Sequence, residues 1–179
     1  AGELNREIKG SFMPQQFDNA ANPDVHRRKT AEELLEAFEG ERIDALVAAV
    51  GTGGTVSGVG ERLRELDPDI RIVAVEPEAS PVLAGGEPGP SKIQGLNAGF
   101  VPRNYHPEVV DEIRHVSDQD AYETKLALAE QEGLLVGISA GANVFAARQL
   151  AEELGPGHNV VTILCDTGER YFSLDRYFQ

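Results

Sequence analysis

The sequence predicts an α/β domain, a parallel-rich sheet with helices on both faces, and three observations carry that prediction. Short apolar runs alternate with segments of helical spacing from residue 43 onward, the pattern of parallel strands joined by crossover helices. The run Ile70–Val75 is rich in Ile and Val, as strands covered on both faces are. Finally, Ala48-Ala49-Val50 gives way to Gly51-Thr52-Gly53-Gly54-Thr55 and then to a helical pattern, a strand passing through glycines and hydroxyls into a helix.

The elements follow in chain order. Ala1–Gly10 (AGELNREIKG) reads as the last turns of a helix closing on glycine, with no helix start before it, so the chain is expected to begin mid-fold. Ser11–Phe17 is a short strand candidate, and Asp18–His26, full of Asn, Asp and Pro, a turn-rich connector. Thr30 is expected to cap a helix reaching about Phe38, with Glu33 completing a capping box. Ile43–Val50 is a buried strand, Thr55–Leu66 a helix and Ile70–Val75 a second strand. Pro81–Pro107 is long, aperiodic and rich in Gly and Pro, either a functional loop or a linker. Glu112–Val116 is a strand, Ser117 and Asp118 start a helix running to about Glu132, and Gly133 ends it. Leu134–Ile138 is a predicted strand, Ala140–Leu154 a helix and Val160–Leu164 the last strand.

Composition bounds the function. At 179 residues, 41% apolar and 26% charged, the chain is long enough for one globular domain with a core. A net charge of −14 and no basic stripe argue against nucleic acid as a partner, since such binding runs on clustered Lys and Arg. The single cysteine, Cys165, excludes an intrachain disulfide and fits a reducing compartment. His26, His106, His115 and His158 lack metal-ligand spacing, so no metal is expected. No run approaches the roughly 20 apolar residues of a membrane span and no signal peptide opens the chain. No membrane partner and a cytoplasmic location are the expectations.

Ligands of such sheets bind beyond the carboxyl ends of the strands, which brings three loops together: Gly51–Thr55, Gly137–Gly141 and Cys165–Arg170. Glycines in the first let the backbone approach an anion, and the amides of a helix start point at it. Thr52 and Thr55 can add hydroxyl donors. A dinucleotide fingerprint fails on spacing: after Gly51 and Gly53 the third glycine belongs at 56, which is Val56. On these residues alone the run is a cup for a single phosphate or a tight, ligand-free turn, and Ser139 is a helix cap or a ligand contact.

Taken in order, SFMPQQFDNAANPDVH, GTGGTVSGVG, KIQGLNAGFVP, GISAGAN and DTGERY resemble the cysteine synthases, or O-acetylserine sulfhydrylases, fold-type II pyridoxal-phosphate enzymes related to the tryptophan synthase β chain. The resemblance implies that residues 19–179 are the C-terminal, cofactor-phosphate-binding α/β domain and residues 1–18 the tail end of an N-terminal domain. It implies that Gly51, Thr52, Gly53, Gly54 and Thr55 hold the phosphate of pyridoxal 5'-phosphate. Ser139 would bond the pyridine nitrogen, with Asp166 near the ring edge. A neutral hydroxyl there leaves the ring a weaker electron sink, which favours β-elimination. Asp166 stands where the family more often carries Ser and Cys165 where it often carries Pro, both departures from its pattern. Gln16 matches a residue that helps hold the substrate carboxylate, and Gly95 a glycine that lets the backbone move as the site closes.

Family members hold the cofactor on a Schiff-base lysine from the N-terminal half, which also moves the α proton. Lys9, Lys29, Lys92 and Lys125 are the only lysines here and none lies in that motif, so no catalytic residue is assigned to this chain. The chain alone is expected to be inactive, with a missing N-terminal segment as its first partner. The complete enzyme would exchange the acetate of O-acetylserine for sulfide to give cysteine. It would be a homodimer and accept the C-terminal tail of serine acetyltransferase at its mouth. Cystathionine β-synthase, an O-phosphoserine-using cysteine synthase and a non-catalytic cofactor- or partner-binding fragment are the alternatives.

Overall fold

The computed structural model describes residues 1–178, the side chain of Asp175 excepted. Four parallel strands form one sheet in the order β3-β2-β1-β4, with β1 at Ala45–Ala49, β2 at Arg71–Pro77, β3 at Glu112–Val116 and β4 at Val160–Thr162. Ala45–Ala49 pairs in step with Arg71–Val75, and Ala45–Val47 with Val160–Thr162. The helices are α1 (Gly2–Glu7), α2 (Ala21–Val25), α3 (Ala31–Ala37), α4 (Gly54–Leu66), α5 (Asp118–Glu132) and α6 (Ile138–Leu154). Between α2 and α3 the path is a π-helical turn, His26–Thr30, and 3₁₀ turns occur at Pro107–Val109 and Gly168–Tyr177.

Alternation along the strands splits the core into two layers. Leu46, Ala48, Ile72 and Ala74 face Val56, Val59 and Leu63 of α4 and Ala31 of α3. Ala45, Val47, Val73 and Val75 face Ala121 and Tyr122 of α5 and Ala142, Ala146 and Leu150 of α6. Helices therefore cover both faces, as the sequence predicts. The α5 ends also agree: the Ser117 side chain accepts from the Asp120 amide, and Gly133 closes the helix at φ 70°.

Four local expectations are corrected. Ser11–Phe17 is not a strand: Pro14 has no N–H, Gln15 turns the chain at φ 57°, and Phe12 is 83% exposed instead of packed on a sheet. Asp18–His26 is not a connector throughout, because Asn19 Oδ1 accepts the Ala21 amide at 3.0 Å and α2 follows. Pro23 is tolerated there as a first-turn residue, whose N–H would have no intrahelical partner. Thr30 is no cap: at φ −59° and ψ −40° it lies inside a continuous helical path, and its hydroxyl bonds His26 Nδ1 at 3.0 Å. Leu134–Ile138 contributes one antiparallel bridge, Val136 to Thr167, and Ile138 already belongs to α6.

The long segment 81–107 is a pinned loop. Glu76, 2% exposed at the end of β2, accepts the amides of Leu83 at 2.7 Å and Ala84 at 3.1 Å, with His115 Nε2 3.1 Å away. Asp118 accepts from Ser91 Oγ at 2.7 Å and the Lys92 amide at 2.9 Å, and Ile93 is fully buried. These anchors hold the loop over the carboxyl end of β1.

Candidate functional site

Helix α4 begins where β1 ends, and the junction is a glycine-lined turn. Gly53 takes φ 85°, and a β-carbon on it would stand 2.7 Å from the Tyr105 Cα, so only glycine fits. A β-carbon on Gly51 would collide with the Gly95 carbonyl oxygen, and one on Gly54 with the Asn22 side chain. The first helical bond of α4 runs from the Ser57 amide to Gly53 O at 3.1 Å. The Gly54 amide donates to Thr52 Oγ1 at 3.4 Å, and the amides of Thr55 and Val56 also precede that bond, which leaves a helix start that the helix dipole favours for negative charge.

The structure brings Gln16, Gly51, Thr52 and Gly95 together around one cleft of about 530 Å³, also lined by Gln94 and Asn97. Gly95 holds φ 94° with nothing within 4 Å of where a β-carbon would sit, so the left-handed backbone and not crowding selects glycine. Asn22 Nδ2 donates both to Gln16 O and to Thr52 Oγ1, each at 2.8 Å. Thr55 Oγ1 lies 3.4 Å from His26 Nε2, and burial pushes the His26 pKa down.

Ser139 and Asp166 do not line that cleft; they form a second cluster at the start of α6 and the end of β4. Ser139 is 7% exposed and its hydroxyl is hydrogen-bonded to the Cys165 thiol. Asp166 Oδ2 accepts from the Tyr171 hydroxyl, whereas Oδ1 is buried with no partner among the described residues. Burial and the bond to Asp166 push the Tyr171 hydroxyl up to about 12. The Asp166 backbone carbonyl accepts the Gly137 amide at 3.0 Å, and a β-carbon on Gly137 would collide with Asp166 Oδ1.

Asn143 joins the two clusters. β1 and β4 stop pairing at Val47 and Thr162, and the fully buried Asn143 amide fills the opening beyond. Its Oδ1 accepts the Ala49 amide and its Nδ2 donates to Ile163 O, both at 2.7 Å. Asn22, His26, Asn143 and Tyr171 contact these two clusters and were not singled out by sequence reasoning. For Asn22 and His26 the available pointer was their i, i+4 spacing, hidden because Pro23 places the segment among turns. Among the described residues, no group of three or more His, Cys, Asp or Glu could hold a metal, and no helix is long and apolar enough to cross a membrane.

A cysteine synthase from Staphylococcus aureus is 55% identical over 177 residues, which are 99% of this chain and 57% of that protein. A probable cysteine synthase from Bacillus subtilis is 51% identical, with 98% of this chain and 57% of that protein covered. The chain thus spans little more than half the length of these relatives. Among crystal structures, a cysteine synthase from Entamoeba histolytica superposes with TM-score 0.90 at 42% identity, over 98% of this chain and 52% of the other. An O-ureido-L-serine synthase superposes with TM-score 0.92 at 44% identity, over 97% and 54%. The model of the family described as pyridoxal-phosphate dependent enzyme matches residues 1–166, and the chain belongs to that family.

Proposed function

We propose that the chain is the cofactor-phosphate-holding part of a cysteine synthase that converts O-acetyl-L-serine and sulfide to L-cysteine and acetate. The observation that carries the reading is the glycine cup at the start of α4, facing the Gly95 loop across a shared cleft. Gly51, Gly53 and Gly54 let the turn pack directly on Gly95, Tyr105 and Asn22, and Thr52 sets its hydroxyl 3.4 Å from the Gly54 amide at the start of α4. Gln16 and Gly95, on the same cleft, would receive the amino-acid carboxylate and close over it. Ser139 would receive the pyridine nitrogen, with Asp166 and its unpartnered oxygen nearby. When bound, the cofactor supplies an electron sink for loss of acetate from the β-carbon.

The lysine that holds the cofactor is assigned to a segment outside these 179 residues, on which residues 1–18 would border. Lys92 supports this, because its ammonium donates to Tyr177 O at 2.6 Å and lies 4.9 Å from the Phe178 ring centroid. The 179 residues alone are accordingly inactive, and the complete protein is a cytoplasmic homodimer whose mouth accepts the serine acetyltransferase tail. A second reading, different donor or acceptor use, is favoured by a 38% identical crystal structure described as an O-acetylserine dependent cystathionine β-synthase from Helicobacter pylori.

The test is the complete protein with Thr52→Ala and Thr55→Ala combined, supplied with O-acetylserine or O-phosphoserine and with sulfide or homocysteine. Cysteine from O-acetylserine and sulfide, together with cofactor loss in the double variant, is the expected result. Each charge-assisted bond contributes about 1.5–3 kcal/mol, so cofactor affinity should fall at least tenfold per hydroxyl. Unchanged affinity in the double variant would place the phosphate elsewhere.

A further inference from the structure

The π-helical turn His26–Thr30 is a rare backbone element, and such turns concentrate at functional sites. It packs against the first half of α4, where a β-carbon on Gly58 would collide with Pro23 O and stand 2.9 Å from the Arg27 amide nitrogen. Contact this close sets Asn22 and His26, one helical turn apart, against the two threonines of the cup. Thr52 Oγ1 has Asn22 as its partner at 2.8 Å, and Thr55 Oγ1 has His26 at 3.4 Å.

The direction of each bond decides what the cup offers. A hydroxyl has one proton and two lone pairs. If a neighbour donates to its oxygen, the proton stays free for an anion; if the neighbour accepts, only lone pairs remain to face it. Asn22 is fixed as a donor, because the same Nδ2 also donates to the Gln16 carbonyl at 2.8 Å, which cannot reciprocate. At His26 the tautomer decides. A neutral imidazole has one N–H and one lone pair, and its Nδ1 lies 3.0 Å from Thr30 Oγ1. With the Thr30 hydroxyl donating to Nδ1, the ring proton sits on Nε2 and is given to Thr55 Oγ1. The opposite tautomer would draw the Thr55 proton away from the cup and present lone pairs to an anion.

We propose that Asn22 and His26 are positioning residues for the cup: each donates to a threonine hydroxyl oxygen, so that Thr52 and Thr55 both turn their protons toward a bound phosphate group, with the Thr30 hydroxyl acting as donor to His26 Nδ1 and so selecting the Nε2–H tautomer. This rests on the phosphate reading of the cup. It adds a selectivity rule, since a cup whose hydroxyls are held as donors rejects a cation or a neutral acceptor-poor ligand and receives a dianion.

The experiment uses the complete protein with pyridoxal 5'-phosphate as probe, in wild type, Thr30→Val, His26→Gln, His26→Phe and Thr55→Val forms. A long-range ¹H–¹⁵N spectrum of the wild type should show His26 protonated at Nε2 and bare at Nδ1. Thr30→Val, which leaves every cup residue intact, and His26→Phe should each weaken cofactor binding about fivefold, the worth of one ordinary hydrogen bond. His26→Gln, whose amide nitrogen can stand near the Nε2 position and donate, should stay within twofold of wild type. A bare Nε2, or Thr30→Val and His26→Phe that bind like wild type while Thr55→Val binds worse, would overturn the relay and leave the phosphate reading standing. Unchanged binding in Thr55→Val would remove both. Should His26→Phe fail to fold, Thr30→Val and the tautomer spectrum decide the matter.

Discussion

Asn143→Ala is expected to be among the most damaging single truncations in the chain. The side chain is 1% exposed and supplies the two bonds that continue the sheet after β1 and β4 part, from the Ala49 amide and to Ile163 O, both at 2.7 Å. Alanine leaves the half-buried Ala49 amide without that partner and the Ile163 carbonyl with only the Cys165 thiol 3.6 Å away, at about 1–3 kcal/mol for each group. The sum is about 2–6 kcal/mol, a large share of the roughly 5–15 kcal/mol by which domains are stable. At roughly 2–4 °C per kcal/mol for a chain of this size, Tm should fall by at least about 4 °C. Urea unfolding and calorimetry measure this, with Asn97→Ala as reference, an exposed amide with one bond of 3.1 Å to Gly89 O. Because the Asn143 amide abuts both halves of the site, backbone amide shifts from Ala49 to Thr55 and from Ile163 to Thr167 should move as well. Stability within about 0.5 kcal/mol of wild type, the range of an ordinary surface change, would refute the reasoning.

Gly58→Ala should destabilise although alanine favours helix by about 1 kcal/mol, because the added methyl meets the backbone of Pro23 and Arg27, and overpacking costs about 1–3 kcal/mol; thermal unfolding with Gly2→Ala as control, where the space is open, checks this, and a raised Tm would contradict it. Tyr171 carries a pH prediction. Its hydroxyl sits near 12 in the fold against about 10 unfolded, so the unfolded chain loses that proton first. Its contribution is therefore complete below pH about 10 and lost as pH climbs toward 12. Burial raises the Tyr105 hydroxyl as well, so tyrosinate absorbance should show late titration that Tyr171→Phe reduces without abolishing, and an unchanged titration in that variant would refute the assignment.

The fold was legible wherever a local rule governed it. Ser117, Gly133 and the apolar strands state their roles within a few residues, and α5, β1 and β3 lie close to their expected bounds. Expectations failed where a neighbour far along the chain decided. Thr30-x-x-Glu33 has the form of a capping box, yet α2 and the π turn already run into it, so Thr30 had no free helix start to cap. Leu134–Ile138 reads as a strand by composition, but a strand exists only where a partner pairs with it, and only Val136 finds one.

The same division holds for the candidate site, where the glycine turn shows in the sequence and the side chains packed against it do not. Glycine at 51, 53 and 54 is demanded by backbone sterics at those positions, so the residue type itself carries the information. Asn22, His26 and Asn143 act through bonds to residues 30, 29 and 94 positions away along the chain, at Thr52, Thr55 and Ala49. Nothing in the composition around them separates such an amide or imidazole from one on the surface. What separates them is the crossing of α2 and the π turn over α4 at Gly58, a contact that makes the cup depend on a segment whose Asn, Pro and Asp read as turn. On the proposed reading of the cup, substitutions that loosen that crossing should weaken anion binding before they unfold the sheet, because they part Asn22 and His26 from Thr52 and Thr55 while both core layers stay packed.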